Sequence, residues 1–162
     1  MKQQTIKEAI SDESKFQEAD YRLYLIRDGE TVFYIGQSQN THNRLLSHLG
    51  LYGRSGPSSI GQFIREHVPQ SNSWVFEQYT LKECEPFILA YRATNASEHM
   101  QAFYRTYGHR YNVEDAEEAL IKHYRPCFNT AMNPDPMPLP ERYQPSDDNP
   151  YGEKLSARFG IK

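Results

Sequence analysis

Residues 21 to 36, YRLYLIRDGETVFYIG, hold two β-rich runs on either side of Asp28-Gly29 and read as a β-hairpin. The alternation of apolar and polar positions also constrains the register. A two-residue Asp-Gly loop sets Tyr24 and Tyr34 on opposite faces of the ribbon. A three-residue loop, Arg27-Asp28-Gly29 with Gly29 left-handed, pairs Ile26 with Glu30 and Tyr24 with Val32. Leu23, Leu25, Phe33 and Ile35 then share one uniformly apolar face, and Arg22, Tyr24, Val32 and Tyr34 share the other. A one-residue slip mixes these sets, so burial favours the longer loop. Both tyrosines are therefore expected on a single, less apolar face.

A short helix is predicted over about residues 41 to 49, capped by Asn40 or Thr41 and stopped by Gly50. The loop LYGRSGPSS separates it from a second helix over about residues 59 to 67, ended by Pro69. SWVFEQYTL is a third strand, and EPFILAYRA and SEHMQAFYRTYG have helical spacing. The last helix starts near Asn112, whose side chain can cap it with Asp115 three residues on, and ends near Tyr124 before Pro126. Ile6, Ala9, Ile10 and Phe16 give residues 1 to 20 a loose helical pattern suited to docking on the domain. Pro134, Pro136, Pro138, Pro140, Pro145 and Pro150 make the end of the chain too proline-rich for regular structure. The expected organisation is a helical extension over 1–20, a domain over 21–133 and a proline-rich tail over 134–162. The expected fold is α/β: a small, mainly antiparallel three-stranded sheet opened by a hairpin and flanked by helices, with extra helices in the middle segment.

Composition narrows the class. A chain of 162 residues, 38% hydrophobic with 8 Phe, 12 Tyr and one Trp, can fill a single core. No apolar run approaches the ~20 residues that span a bilayer, and the polar start MKQQTIKEAISDESKFQEAD lacks the apolar stretch of a secretory signal. A soluble cytoplasmic protein, without a membrane partner, is the expectation. Cys84 and Cys127 stand far apart outside any CxxC pattern, as small buried hydrophobes rather than zinc ligands. The net charge of −3 is not that of a bulk nucleic-acid binder, but its distribution is uneven. Residues 31 to 65 contain no Asp or Glu, while His42, Arg44, His48, Arg54 and Arg65 lie there. That is either chance clustering on a solvated face or a local surface for phosphates.

Two pairs of residues carry candidate chemistry. On the last helix, Glu117 lies among Val113, Leu120, Ile121 and Tyr124, whereas Glu118 faces outward and can pair with Lys122. A carboxylate on an apolar face needs a partner, either a divalent cation or an arginine. Arg44 and His48, four apart, share one face of the short helix, with Leu45, Leu46 and Leu49 on the core side. Arg44 can grip a phosphate oxygen, or it is an ordinary solvated arginine. His48 can take a proton, orient a tyrosine or contact phosphate, or it is a surface histidine.

Arg22-Leu23-Tyr24, Tyr34-Ile35-Gly36-Gln37-Ser38, and Arg44 with His48, in that order, resemble the opening of a GIY-YIG nuclease domain. Glu117-xxx-Ile121 followed by Arg125-Pro126-Cys127-Phe128-Asn129 resembles its closing half. The likeness runs from residue 21 to 129, about two-thirds of the chain. Tyr-Ile-Gly alone is a weak signal; the ordered combination is specific. Arg22 and Leu23 stand where the family has Gly-Ile, and the segment before the last helix is longer than the family core. The resemblance implies a metal-dependent endonuclease acting on DNA, single- or double-stranded, as a monomer or homodimer. It implies one Mg²⁺ or Mn²⁺ held by Glu117, with Tyr24, Tyr34, Arg44, His48 and Asn129 completing the site. Tyr24 would activate or position the water, Tyr34 would organise water and phosphate, and Asn129 would brace the site. The products would carry 5′-phosphate and 3′-hydroxyl ends. Arg54, Lys122 and Arg125 are further candidates for backbone contacts. The alternatives are a non-cleaving nucleic-acid-binding module of the same fold and a protein-interaction scaffold.

Overall fold

The computed structural model describes residues 1–12 and 20–144. Within them lie four strands, β1 (Lys2–Thr5), β2 (Tyr21–Asp28), β3 (Thr31–Gln37) and β4 (Val75–Thr80), in one antiparallel sheet of order β1-β4-β2-β3. The sheet therefore has four strands where three were expected. The extra one comes from the supposed helical extension: Lys2 to Thr5 pair with Gln78 to Val75. This strand, KQQT, has no apolar alternation and is held by the backbone ladder at a sheet edge, so periodicity could not reveal it. Thr5 then caps a short helix, α1 (Ile6–Ser11), in a capping box with Glu8, and Ile6 and Ala9 are buried. Phe16, assigned to the same extension, lies outside the described residues.

The hairpin keeps its two tyrosines on one face, but by another register. Its loop is Gly29-Glu30, with Asp28 opposite Thr31, Gly29 at φ +55°, and Tyr24 opposite Gly36 rather than Val32. Phe33 is the extra residue of a β-bulge, since Ile26 faces Tyr34 while Arg27 faces Val32. The bulge exchanges two side chains between faces. Phe33 joins Tyr24 and Ile26, and Val32 joins Leu23, Leu25 and Ile35. Alternation fixes a register when one face is less apolar than the other; here both faces are covered and Tyr24 is buried, so a bulge costs no exposed apolar surface.

Five further helices follow: α2 (Thr41–His48), α3 (Ser59–Glu66), α4 (Glu85–Asn95), α5 (Glu98–Tyr107) and α6 (Val113–Tyr124). Asn40, Ser58, Ser97 and Asn112 each cap a helix by accepting a backbone N–H, and Asn112 shares a capping box with Asp115. The sheet is thus the middle of three layers. Leu45 of α2 and Phe63 and Ile64 of α3 pack with Trp74 and Phe76 on the tyrosine face. Ile88 of α4 and Ala116, Leu120 and Ile121 of α6 cover the other. Leu139 and Tyr143 return to the first cluster, where the Tyr143 ring meets Phe33 and Trp74 edge-on. The start of the expected tail is therefore part of the core, with one 3₁₀ turn at Glu141–Tyr143; Pro145 and Pro150 lie outside the described residues. Cys84 is buried and Cys127 half-buried, both as free thiols. No helix among the described residues is long and apolar enough to cross a membrane.

Candidate active site

Six residues from five separate segments meet around the outer edge of β3. Tyr24 and Tyr34 project from adjacent strands with ring centroids 6.2 Å apart. The Tyr24 ring lies against Gly36 on the neighbouring strand: a Cβ there would fall 2.5 Å from Oη and 2.7 Å from Cζ. Gly36 is thus the space that the phenol occupies. His48, the last residue of α2, is only 4% exposed, and its Nε2 lies 2.7 Å from Tyr24 Oη. Its ring sits edge-on to Tyr34 at 5.4 Å. Arg44, one turn earlier on α2, is exposed and acts electrostatically on both phenols and on His48.

The carboxylate arrives from the opposite layer. Glu117 on α6 accepts a hydrogen bond from Gln37 Nε2 at 2.9 Å, at the end of β3, and its charge is felt by both tyrosines. Asn129 pairs with the backbone of Ile35 in both directions: Ile35 N–H donates to Oδ1 at 2.9 Å and Nδ2 donates to the Ile35 carbonyl at 2.8 Å. Cys127 and Phe128 donate their N–H groups to Val32 and Phe33, so residues 127 to 129 run along the free edge of β3. The edge strand that bears Tyr34 is held on its outer side as well as its inner one.

Burial sets the electrostatics of the cluster. It pushes the Tyr24 phenol far above the ordinary tyrosine range; Tyr34 adds to this, and the Arg44 guanidinium opposes it. Tyr34 is raised for the same first reason, with Arg44 again opposing. His48 is pushed down to about 4 by burial, helped by the Arg44 cation, and is neutral near pH 7. Burial also lifts the Glu117 carboxyl above its usual value, against the Gln37 hydrogen bond and with Glu114 contributing.

The donor set bears on a cation. Among the described residues no three His, Cys, Asp or Glu side chains converge as a closed metal cage. Glu117 has no arginine or lysine ion pair among them either; its partner is a neutral amide. A half-buried carboxylate in this state is destabilised as an anion, and a cation beside it would restore its ordinary acidity. One carboxylate completed by water and phosphate oxygens suits Mg²⁺ or Mn²⁺.

Other expected contacts do not join this cluster. Arg54 stands exposed in the loop between α2 and α3. Lys122 lines a cavity with Phe87, Ala90, Tyr91 and His123 on the α4 side of α6. It is not paired with Glu118, which instead accepts the Tyr91 hydroxyl at 3.2 Å, because Tyr91 of α4 packs over that side of the helix. Arg125 is the left-handed C-cap of α6, with φ 49°, and its guanidinium is engaged by Asp135. That contact adds a structural role in the turn. Sequence reasoning also missed two polar residues: Gln37, which holds Glu117, and Ser58, whose Oγ lies 2.6 Å from His48 Nδ1. The capping preference of Ser58 was legible; its second contact depends on how α3 folds back on α2. Compared with known proteins, the chain matches no family model, no curated protein and no solved structure.

Proposed function

We propose that this protein is a metal-dependent endonuclease that hydrolyses DNA phosphodiester bonds at the β3-edge cluster, in the manner of the GIY-YIG nucleases its motifs resemble. The observation that carries this reading is the convergence of Tyr24, Tyr34, Arg44, His48 and Glu117, brought from two layers of the fold to one strand edge. Phosphodiester hydrolysis requires a held water, a cation-rich environment for the charge that develops at phosphorus, and assistance to the leaving oxygen. Arg44 is exposed beside the phenols, where it can grip a non-bridging phosphate oxygen. Both phenols are kept neutral by burial: the half-exposed Tyr34 holds and orients the attacking water, and the buried Tyr24, hydrogen-bonded to it, fixes its hydroxyl. His48 is neutral and fixes the Tyr24 hydroxyl. Glu117 would hold one Mg²⁺ or Mn²⁺, which when bound polarises the phosphoryl group and supports the departing 3′ oxygen. Gln37 keeps that carboxylate at the strand edge, and Asn129 keeps the edge itself in place. The expected products have 5′-phosphate and 3′-hydroxyl ends.

The test is incubation of end-labelled single- and double-stranded DNA with the full chain in Mg²⁺, Mn²⁺ or EDTA. Cleavage is expected with either metal and none with EDTA. Glu117→Gln and Arg44→Ala are expected to lower the rate by about 100-fold or more, as removal of transition-state charge stabilisation does. Cutting that survives chelation or Glu117→Gln would overturn the mechanism. Salt-dependent binding with no product would instead identify a non-cleaving nucleic-acid-binding module.

A further inference from the structure

The inner side of His48 is as tightly arranged as the side facing Tyr24. Ser58, the N-cap of α3, donates its backbone N–H to the His48 carbonyl at 2.9 Å and sets its Oγ 2.6 Å from His48 Nδ1. The same Oγ accepts the Gly61 N–H at 3.2 Å. Gly61 cannot be larger, since a Cβ there would lie 1.6 Å from the His48 carbonyl oxygen. The start of α3 is therefore pressed against the end of α2 with the imidazole between Ser58 and Tyr24.

Proton accounting within the protein favours one tautomer over the other. A serine hydroxyl has one proton and two lone pairs. With one lone pair taken by Gly61, the acceptor for the Ser58 proton among the described residues is His48 Nδ1. The ring proton of a neutral imidazole then resides on Nε2, 2.7 Å from Tyr24 Oη, and is donated to it. The other tautomer would leave the Ser58 proton without a described protein acceptor and turn the Tyr24 proton inward, toward the ring.

We propose that Ser58 is a positioning residue that fixes His48 as its Nε2–H tautomer, so that His48 donates to Tyr24 Oη and the tyrosine's own proton is turned away from the imidazole, toward the Tyr34 hydroxyl with which it is hydrogen-bonded. Arg44 lies beside the same phenol, so Oη is supported by two cationic or N–H groups and donates to Tyr34, whose half-exposed hydroxyl is the one that can reach water or phosphate. The catalytic part of this inference rests on the nuclease reading; the tautomer part does not.

The experiment uses the full chain labelled with ¹⁵N-histidine, with the His48 resonances assigned by loss in His48→Gln. Two-bond nitrogen–proton correlations report which ring nitrogen carries the proton. Ser58→Gly removes the hydroxyl while keeping a residue that tolerates the N-cap position, and Ser58→Thr restores the hydroxyl. The wild type is expected to show the Nε2–H pattern, Ser58→Gly a mixture with Nδ1–H, and Ser58→Thr a return to the wild-type pattern. In DNA cleavage, Ser58→Gly is expected to lose about tenfold in kcat, as loss of an orienting partner of a working histidine does, with KM nearly unchanged. The Ser58→Thr variant is expected to recover that activity. An Nδ1–H wild type, or a Ser58→Gly spectrum still purely Nε2–H, overturns the assignment. A changed tautomer with unchanged kcat overturns the positioning role. A wild type that shows the expected tautomers and cuts no DNA under any metal refutes the nuclease reading and leaves the Ser58–His48 arrangement supported.

Discussion

A methyl group on Gly36 would sit 2.5 Å from Tyr24 Oη, with ring atoms of the same phenol also inside contact distance, so the phenol would have to move. Gly36→Ala is expected to cost about 1–3 kcal/mol of stability, as overpacking does, and to lower cleavage more than that loss alone explains, because the ring it displaces is the one His48 holds. Denaturant titration and kcat on the same preparation separate the two effects. His48 makes a different prediction. Its ring binds a proton at about 4 in the folded chain and near 6.5 when unfolded, so between these values the unfolded chain holds more protons. Its contribution to stability is complete above pH 6.5 and is lost as pH falls toward 4. Glu117, whose carboxyl is raised, opposes this by gaining from protonation at the acid end. Urea unfolding across this range should show a decline that flattens in His48→Gln; an unchanged slope would show that the ring is not held neutral. At this scale the sequence displayed the motif residues, since their types and spacing are distinctive, and concealed Gln37 and Ser58. A lone Gln ending a strand and a Ser before a helix have ordinary local explanations, and nothing in a linear pattern reports what they reach across the fold.

Asn129 acts on an element rather than on a neighbour. Its amide completes the hydrogen bonds of Ile35 on the outer side of β3, as an adjacent strand would. Asn129→Ala leaves a buried residue's N–H and C=O without that partner and is expected to cost about 2 kcal/mol. Amide exchange should speed up along residues 33 to 37 while β4 is spared; uniform exchange would contradict an edge-specific role. The helices and their caps followed from local rules because Asn40 and Asn112 satisfy backbone donors a few residues away. The hairpin register did not. Apolar alternation along the two strands favoured a three-residue loop, and the bulge at Phe33 is stabilised instead by what each face packs against, α3 and Trp74 on one side and α6 on the other. Strand β1 was hidden for a related reason: its polar residues belong to the sheet through backbone bonds to β4.

At the scale of the fold, the described residues form a sheet with helices on both faces, and the candidate site exists because β3 is the outermost strand of that sheet. At an edge, α2 from one layer and α6 from the other can reach the same point; beside β4, the sheet itself would separate them. This arrangement also explains why an acidic chain can present a cationic group at the site. Arg44 belongs to the stretch without carboxylates, and Glu117 enters from the other layer as the single acid of the cluster. The expected boundary near residue 133 is the point at which linear reading failed most plainly, since proline content described the backbone of the following segment but not where its side chains go. Ending the chain at residue 133 would withdraw Leu139 and Tyr143 from the cluster around Trp74, the protein's one tryptophan. That indole, now 1% exposed, would gain contact with solvent. A shortened protein should therefore emit at longer wavelength and melt earlier than the full chain, whereas retention of a blue emission maximum would show that the segment is dispensable. Leu139 and Tyr143 thus act as a hydrophobic plug whose seating can be followed by light from a single chromophore, without any assay of catalysis.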